Sequence, residues 1–451
     1  MLVGNSTSQN HAFVRHSRIS EVANLNTSLL PAIVTSRSAG ATLGVSKPLD
    51  QLAFQLTDGY WTFEGTGPRK FDISAGGEIT VDISSLTAKG QQLALWALDA
   101  WTAASGLQFL QVTGGSANIT FDDEDVGAYA SSSISGGIIT SSQINISRQW
   151  LADYGAGIHT YSMQTYIHEI GHAIGLGHAG NYNGSAQYGV DNLFINDSWQ
   201  ATVMSYFSQL DNTDVRADLA YAVTPMMADI VAIRNLYGAM EIRPGDDTYS
   251  FRHNFDFMVA RTIVDTDGHD TLDFSWNGRP QRIDMRAESY SDINGYIGNL
   301  GISCGTVIEE ARGGRGVDTI IGNAADNVIH GGLGKDILRG AGGADSFVFD
   351  TTPDAVKNFD RIRDFEAGTD VIVLSTDVYS GLGGTGTGQV AARTFHIGAS
   401  GLAQDRDDRI IYEPDTGRLF YDEDGSQGGA AVLFARLDAD LNLRSGDFLI
   451  V

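Results

Sequence analysis

The chain runs to 451 residues, room for about three domains and a sizeable core. Its formal net charge of −26 repels phosphate backbones and sets nucleic acid aside as a partner. A single cysteine, Cys304, excludes an internal disulfide and reads as a small buried hydrophobe beside Ile302 and Val307.

Residues 1–50 are rich in Ser, Thr, Asn and Ala without periodicity, and read as a flexible tail or pro-segment. They lack the apolar stretch of a secretory signal peptide, and no later run approaches a membrane-spanning length, so no membrane insertion is expected. Order is expected from Phe54 to Phe63. A strand follows at 78–84, where Ile79, Val81 and Ile83 alternate with polar residues. The spacing of Leu93, Trp96, Ala97, Ala100, Trp101 and Ala104 predicts a helix over 86–105, ended by Gly106. Short strands are expected at 117–121 and 137–146, and a further helix over 224–237 closed by Gly238. Past Gly238 the helical period is gone.

Between those helices the segment from His168 to His178 reads HEIGHAIGLGH. On a helix, His168 and His172 leave the same face one turn apart. Glu169 projects beside them, within reach of water at a metal without being a ligand. Gly171 and Gly175 are poor helix residues, and Gly175 can take the left-handed conformation that ends a helix and brings His178 round. Three imidazole ligands leave a fourth position open, the arrangement of a catalytic zinc rather than a structural one. A bare HExxH occurs by chance. The added glycine and third histidine are far more restrictive, and Met204 within VMSYF supplies a methionine turn, completing a pattern similar to the metzincin signature.

From Gly313 the chain repeats every nine residues: GGRGVDTII, GNAADNVIH, GGLGKDILR, GAGGADSFV. This is similar to the calcium-binding nonapeptide of parallel β-rolls. The turn residues Gly314, Gly316, Asn323, Ala325, Gly332, Gly334, Ala341 and Gly343 lend carbonyl oxygens, and the sixth positions Asp318, Asn327, Asp336 and Asp345 lend side-chain oxygens. Ile320, Ile329, Leu338 and Phe347 point into the roll. Each turn is half a site, so Asp318 is expected to share an ion with Asp336, and Asn327 with Asp345, the latter bound more weakly for want of a charge. Beyond the repeats, strands at 359–374, 410–421 and 430–437 predict a closing antiparallel sheet. Asp422, Asp424 and Gly425 fit a calcium turn or a plain hairpin loop equally, and GDFLIV fits a last strand.

Taken together, these residues resemble the serralysin family, secreted zinc metalloproteases of Gram-negative bacteria. The match runs from about Gly77 to Val451 and also rests on HAGNYNG after the third histidine, on TPMMADIVAIRNLYG and on the DFLIV ending. The resemblance implies an α+β fold: a metzincin catalytic domain over 51–240, then an all-β parallel β-roll (RTX) domain over 241–451 closed by antiparallel strands. It implies one catalytic zinc on His168, His172 and His178, with Tyr206 as an additional phenolate ligand, and several structural calcium ions. One calcium site would use carbonyls of Arg243 and Gly245 with Asp247, Asp265, Asp267, Gly268 and Asp270; another would use Glu309 with Asp270. Two departures stand out: Ala179 where the family has proline, and Asn181 where it has aspartate.

The resemblance implies a secreted, monomeric endopeptidase for protein or peptide substrates. Glu169 would act as general base and Tyr206 would support the oxyanion. Export would run through type I secretion machinery on an uncleaved C-terminal signal, and a periplasmic proteinaceous inhibitor is a further implied partner. Residues 1–50 would serve as a zymogen segment, with His11, His16 and Asp50 its candidate ligands. The rival reading is a calcium-binding adhesin with a vestigial protease half; intact Glu169 and Tyr206 speak against it.

Overall fold

Residues 48–73, 77–114, 117–251, 258–382 and 388–451 are described by the structure, a computed structural model. Most of the expected N-terminal tail, including His11 and His16, lies outside them. Pro48 already opens helix α1 (Pro48–Phe54), so order starts earlier than Phe54. A π-helical turn (Gln55–Gly59) and α2 (Tyr60–Phe63) continue it.

Strand β1 (Glu78–Asp82) buries Ile79 and Val81 as the alternation predicts. Helix α3 (Ala88–Ser105) starts where Thr87 Oγ1 accepts the Gly90 N–H and stops where Gly106 turns left-handed at φ 76°. The sheet beside it has the order β2-β1-β3-β5-β4, with β2 at Gln108–Gln111, β3 at Ile119–Asp122, β4 at Ala128–Ser135 and β5 at Ile138–Ile146. Only β4 runs antiparallel, against β5. Both edge strands, β2 and β4, escape the sequence reading, because edges with largely solvent-facing side chains carry no apolar alternation.

Helix α4 (Arg148–Tyr154) is capped by Ser147, and α5 (Tyr161–Ala173) crosses under the sheet. Strand β6 (Tyr221–Ala222) leads into α6 (Met227–Tyr237), which starts later than expected because Met226 is still extended. The sheet, α3 and α5 enclose one apolar core, with Trp101, Phe121, Tyr166, Ile170 and Met204 at its centre.

A second core fills the C-terminal half. Two parallel walls face each other across it. On one, Leu272, Ala311, Ile329, Phe347, Ile372 and Phe448 pair in register; on the other, Ile283, Ile320, Leu338 and Ile362 do. All of these side chains are buried. The expected antiparallel closure needs correction over 359–374. Asp360–Ile362 and Val371–Leu374 pair in parallel with the repeats and prolong the roll. The segments DRI and DVI repeat the aspartate-x-apolar half of the nonapeptide without its glycine turn. Antiparallel pairing joins Ile410–Glu413, Arg418–Tyr421 and Val432–Arg436, the last two linked by the loop holding Asp422, Asp424 and Gly425. Phe448–Ile450 is the last strand. Cys304 is half-buried rather than buried; its carbonyl accepts the Arg234 Nη1–H at 2.7 Å. Among the described residues no helix is long and apolar enough to cross a membrane.

Candidate active site

Helix α5 can carry the histidines because its neighbours come very close. A methyl group at Gly171 would stand 2.7 Å from Met204 Sδ and 3.3 Å from the Trp101 ring, so glycine lets the methionine turn press against the helix. The helix ends at Ala173, Gly175 takes φ 118°, and the chain doubles back to deliver His178.

Metal-facing atoms of His168, His172 and His178 lie within 4.8 Å of one another. His168 Nδ1 meets the Val203 carbonyl at 2.7 Å and His172 Nδ1 meets that of Leu176 at 2.8 Å. Donation from Nδ1 leaves Nε2 as the lone-pair atom, the tautomer a metal needs. His172 Nε2 and His178 Nε2 are 3.1 Å apart. Burial lowers His168 to about 4 and His172 to about 3, and pushes His178 well down, so all three rings are neutral at pH 7. Burial raises Glu169 to about 8, and its Oε2 meets no hydrogen-bond partner. Three neutral nitrogen donors beside an uncompensated buried carboxyl group suit a zinc ion.

Tyr206 joins them from the other side, its ring centroid 4.5 Å from His178 and 6.3 Å from His168. Its hydroxyl accepts the Gly184 N–H at 3.3 Å. Met204 is buried directly under α5.

In the roll, aligned registers place Asp247, Asp270, Glu309, Asn327, Asp345 and Asp370 in a column just before the strands of one wall. Gln281, Asp318, Asp336 and Asp360 do the same on the other. Along the column backbone N–H groups donate to the next side chain: Asp247 to Asp270 (2.9 Å), Asp270 to Glu309 (2.8 Å), Asn327 to Asp345 (2.9 Å) and Asp345 to Asp370 (3.0 Å); the Glu309 N–H instead donates to the Asp270 carbonyl (3.2 Å). Asp318 likewise donates to Asp336 (2.7 Å) and Asp336 to Asp360 (3.1 Å). The pairing of turns two repeats apart is present. Side chains at Gly332 and Gly334 would strike the carbonyls of Gly314 and Gly316, and one at Gly343 would strike that of Ala325. Ala341 has φ 73°, and Gly342 N–H donates to the Asn323 carbonyl at 3.0 Å. Asp336 Oδ2 is buried and meets no hydrogen-bond donor.

Asp247, Asp265 and Asp270 bring carboxylate oxygens within 4.8 Å of one another. Asp267 N–H donates to Asp265, and Gly268 packs on the Gly245 carbonyl, two residues beyond Arg243 (φ 49°). Asn327 turns its amide nitrogen, not its oxygen, toward the Ile308 and Glu309 carbonyls (3.2 and 3.4 Å), and Asn323 Nδ2 donates to Ile308 at 2.7 Å.

A family model described as Peptidase M10 serralysin C terminal matches residues 234–382. The chain is 34% identical over 379 residues to metallopeptidase AprA of Pseudomonas marginalis, covering 73% of this chain and 79% of that protein. It is 36% identical over 353 residues to metalloprotease AprA of Pseudomonas entomophila, covering 70% and 72%. The chain belongs to the serralysin family. Serralysin of Photorhabdus luminescens is 35% identical over 269 residues, 55% of each chain.

In this serralysin-family chain, Ala179 has an N–H that proline would lack, and it donates to the Met204 carbonyl at 3.4 Å, tying the third histidine to the methionine turn. Asn181 accepts from Gln55 Nε2 at 3.1 Å. Two carboxyl groups escaped the sequence reading. Asp229 accepts from Thr202 Oγ1 (2.5 Å), Val203 N–H (2.9 Å) and Met226 N–H (2.8 Å), fixing the segment whose carbonyl holds His168. Asp197 accepts from Ser205 Oγ (2.6 Å) and from Tyr182 (3.0 Å), whose ring stacks on His178. Asp229 stands at the third position of α6, a capping signal; Asp197 sits in a loop with no pattern around it.

Proposed function

We propose that His168, His172 and His178, with Tyr206 as a displaceable fourth ligand, hold one zinc ion, and that Glu169 is the general base of peptide-bond hydrolysis. As a serralysin-family protein the chain is a zinc metalloendopeptidase acting on protein substrates. The observation carrying the assignment of roles is the buried, unpartnered Glu169 Oε2 beside three neutral imidazoles. Zinc, when bound, supplies Lewis acidity toward water and toward the scissile carbonyl. Glu169 takes a proton from the attacking water and passes it to the leaving amine. Without a neighbouring cation burial keeps that carboxyl group protonated up to about pH 8, so the base is released by the positive charge it serves. Tyr206 Oη donates a hydrogen bond to the developing oxyanion.

The same reading assigns the two columns of the roll to calcium, in a domain over 241–451 that follows a catalytic domain over 51–240. Extracellular calcium modules bind at roughly 10⁻⁴ to 10⁻³ M, so the chain stays loose in the cell, leaves through a type I channel on its C-terminal signal, and folds outside. Casein hydrolysis with and without a zinc-selective chelator, restored by added zinc, is the test. Activity indifferent to the chelator would remove the zinc assignment.

A further inference from the structure

The zinc histidines are not all held in the same way. His168 and His172 each set Nδ1 against a backbone carbonyl, at 2.7 and 2.8 Å, and those bonds orient both rings. For His178 the Nδ1 is buried and meets no partner in full hydrogen-bond geometry, the Tyr182 backbone standing by as a weaker polar neighbour. Packing against rings takes the place of that bond. Tyr182 stacks on His178 (centroids 5.7 Å apart, planes at 29°), and Tyr60 meets it in a T-shaped contact (4.9 Å, 79°).

Tyr60 belongs to the helical segment that opens the described chain, and this segment grips the turn carrying His178. The Gly177 N–H donates to the Leu56 carbonyl at 2.7 Å, Trp61 Nε1–H donates to that of Gly175 at 2.8 Å, and Gln55 Nε2 donates to Asn181 Oδ1 at 3.1 Å. Leu56 lies in the π-helical turn Gln55–Gly59, where the Tyr60 N–H reaches back to the Gln55 carbonyl. Such turns are rare and gather at functional sites. Close approach explains both glycines of the histidine turn. A Cβ at Gly177 would collide with the Tyr60 ring, and one at Gly175, which has φ 118°, would collide with the Arg69 carbonyl. The Arg69 guanidinium lies over the Trp61 ring, 3.6 Å from its centroid, and so backs the residue that holds Gly175. Tyr60 itself is 3% exposed, so its ring has no solvent-facing position to move to.

We propose that Tyr60 and Trp61 are positioning residues for the metal centre: Trp61 fixes the turn after α5, and Tyr60 sets the ring plane of His178, the ligand that no strong hydrogen bond orients. The proposal rests on the zinc reading of the three histidines. A ligand oriented in advance by packing loses little further freedom when the metal arrives, which raises affinity.

The test is the zinc affinity of the calcium-loaded chain, measured below its melting transition by competition with a chromogenic chelator, alongside kcat and KM on a casein peptide. Wild type should bind one zinc and His178→Ala should bind it more weakly; failure of either would sink the zinc reading itself. Tyr60→Leu keeps bulk and removes the flat ring. It should weaken zinc binding about tenfold, the lower end for loss of a group that orients a ligand, and lower kcat with KM unchanged. Tyr60→Phe keeps the ring and should keep wild-type affinity. Trp61→Phe removes only the Nε1–H donor and should weaken binding about threefold, as for one modest hydrogen bond. A merely structural residue would lower the melting temperature of the zinc-free chain and leave the affinity of the folded molecules unchanged. That outcome, in whichever of Tyr60→Leu and Trp61→Phe folds, would overturn the proposal, and so would equal losses in Tyr60→Leu and Tyr60→Phe.

Discussion

The two halves of the chain both make room for cations, on opposite physical terms. Around His168, His172 and His178 the core is apolar and closes by itself; burial keeps the imidazoles neutral, and Glu169 is the group left uncompensated. In the roll, burial is the largest of the effects raising Asp270, Asp318, Asp336, Asp345, Asp360 and Asp370, and neighbouring carboxylates add to it at most of them. In the first half the metal equips a finished fold. In the second, on the calcium reading proposed above, the cation would relieve the repulsion of clustered aspartates and so stabilise the fold itself.

The largest expected effect sits in the first half. Glu169→Ala should lower turnover about 10³-fold, within the range for a lost general base, while zinc content and melting temperature hold. Near-wild-type turnover would dismiss the proton role. Next, a calcium-selective chelator should lower the temperature at which the strand signal of the roll melts in circular dichroism and leave the melting of the helical signal of α3, α5 and α6 in place. Joint melting of both signals would show the two halves to be one cooperative unit and break the contrast. Tyr206→Phe should lower kcat about 10²-fold with little change in KM, as for a lost oxyanion donor; an effect confined to KM would refute that role.

What could be read from the sequence follows the same divide. The zinc site was legible because helical geometry converts the spacing of His168, His172 and His178 into one location. The roll was legible only where glycines mark its turns. Asp360-Arg361-Ile362 and Asp370-Val371-Ile372 build identical rungs, yet without a Gly-Gly turn they read as ordinary strands. Asp197 and Asp229 gave less still. Their partners lie elsewhere in the chain, and a single carboxylate has no period to detect.

A smaller effect tests the calcium-free roll by pH. Asp270 and Asp345 are raised to about 6 by burial, and the Asp336–Asp360 pair is raised as well. A carboxyl group whose folded pKa lies above its unfolded value of about 4 binds more protons when folded, so its stabilisation is full at low pH and lost as pH rises through the folded value. With chelator present, the roll should therefore melt at lower temperature as pH goes from 4 to beyond 6, and calcium should remove the trend. A melting temperature that rises with pH in chelator would reverse the sign and refute the burial argument.

The smallest effect lies inside the roll. At Asn327 the column of N–H-to-side-chain bonds breaks, because the Glu309 N–H donates to the Asp270 carbonyl, and the Asn327 amide nitrogen donates to the Ile308 and Glu309 carbonyls. That turn is held by its own donor, which makes it the one described rung of its wall closest in kind to the catalytic half. Asn327→Asp removes the donor and sets a carboxylate beside Asp345, whose Oδ1 already accepts the residue 327 N–H. In chelator the variant should lose about 1–3 kcal/mol, the cost of stranding buried acceptors. In saturating calcium the new carboxylate and the freed carbonyls complete a cage, and the loss should shrink or change sign. Equal destabilisation in both conditions would mean that no cation reaches this turn, and that the roll is calcium-dependent only on either side of it.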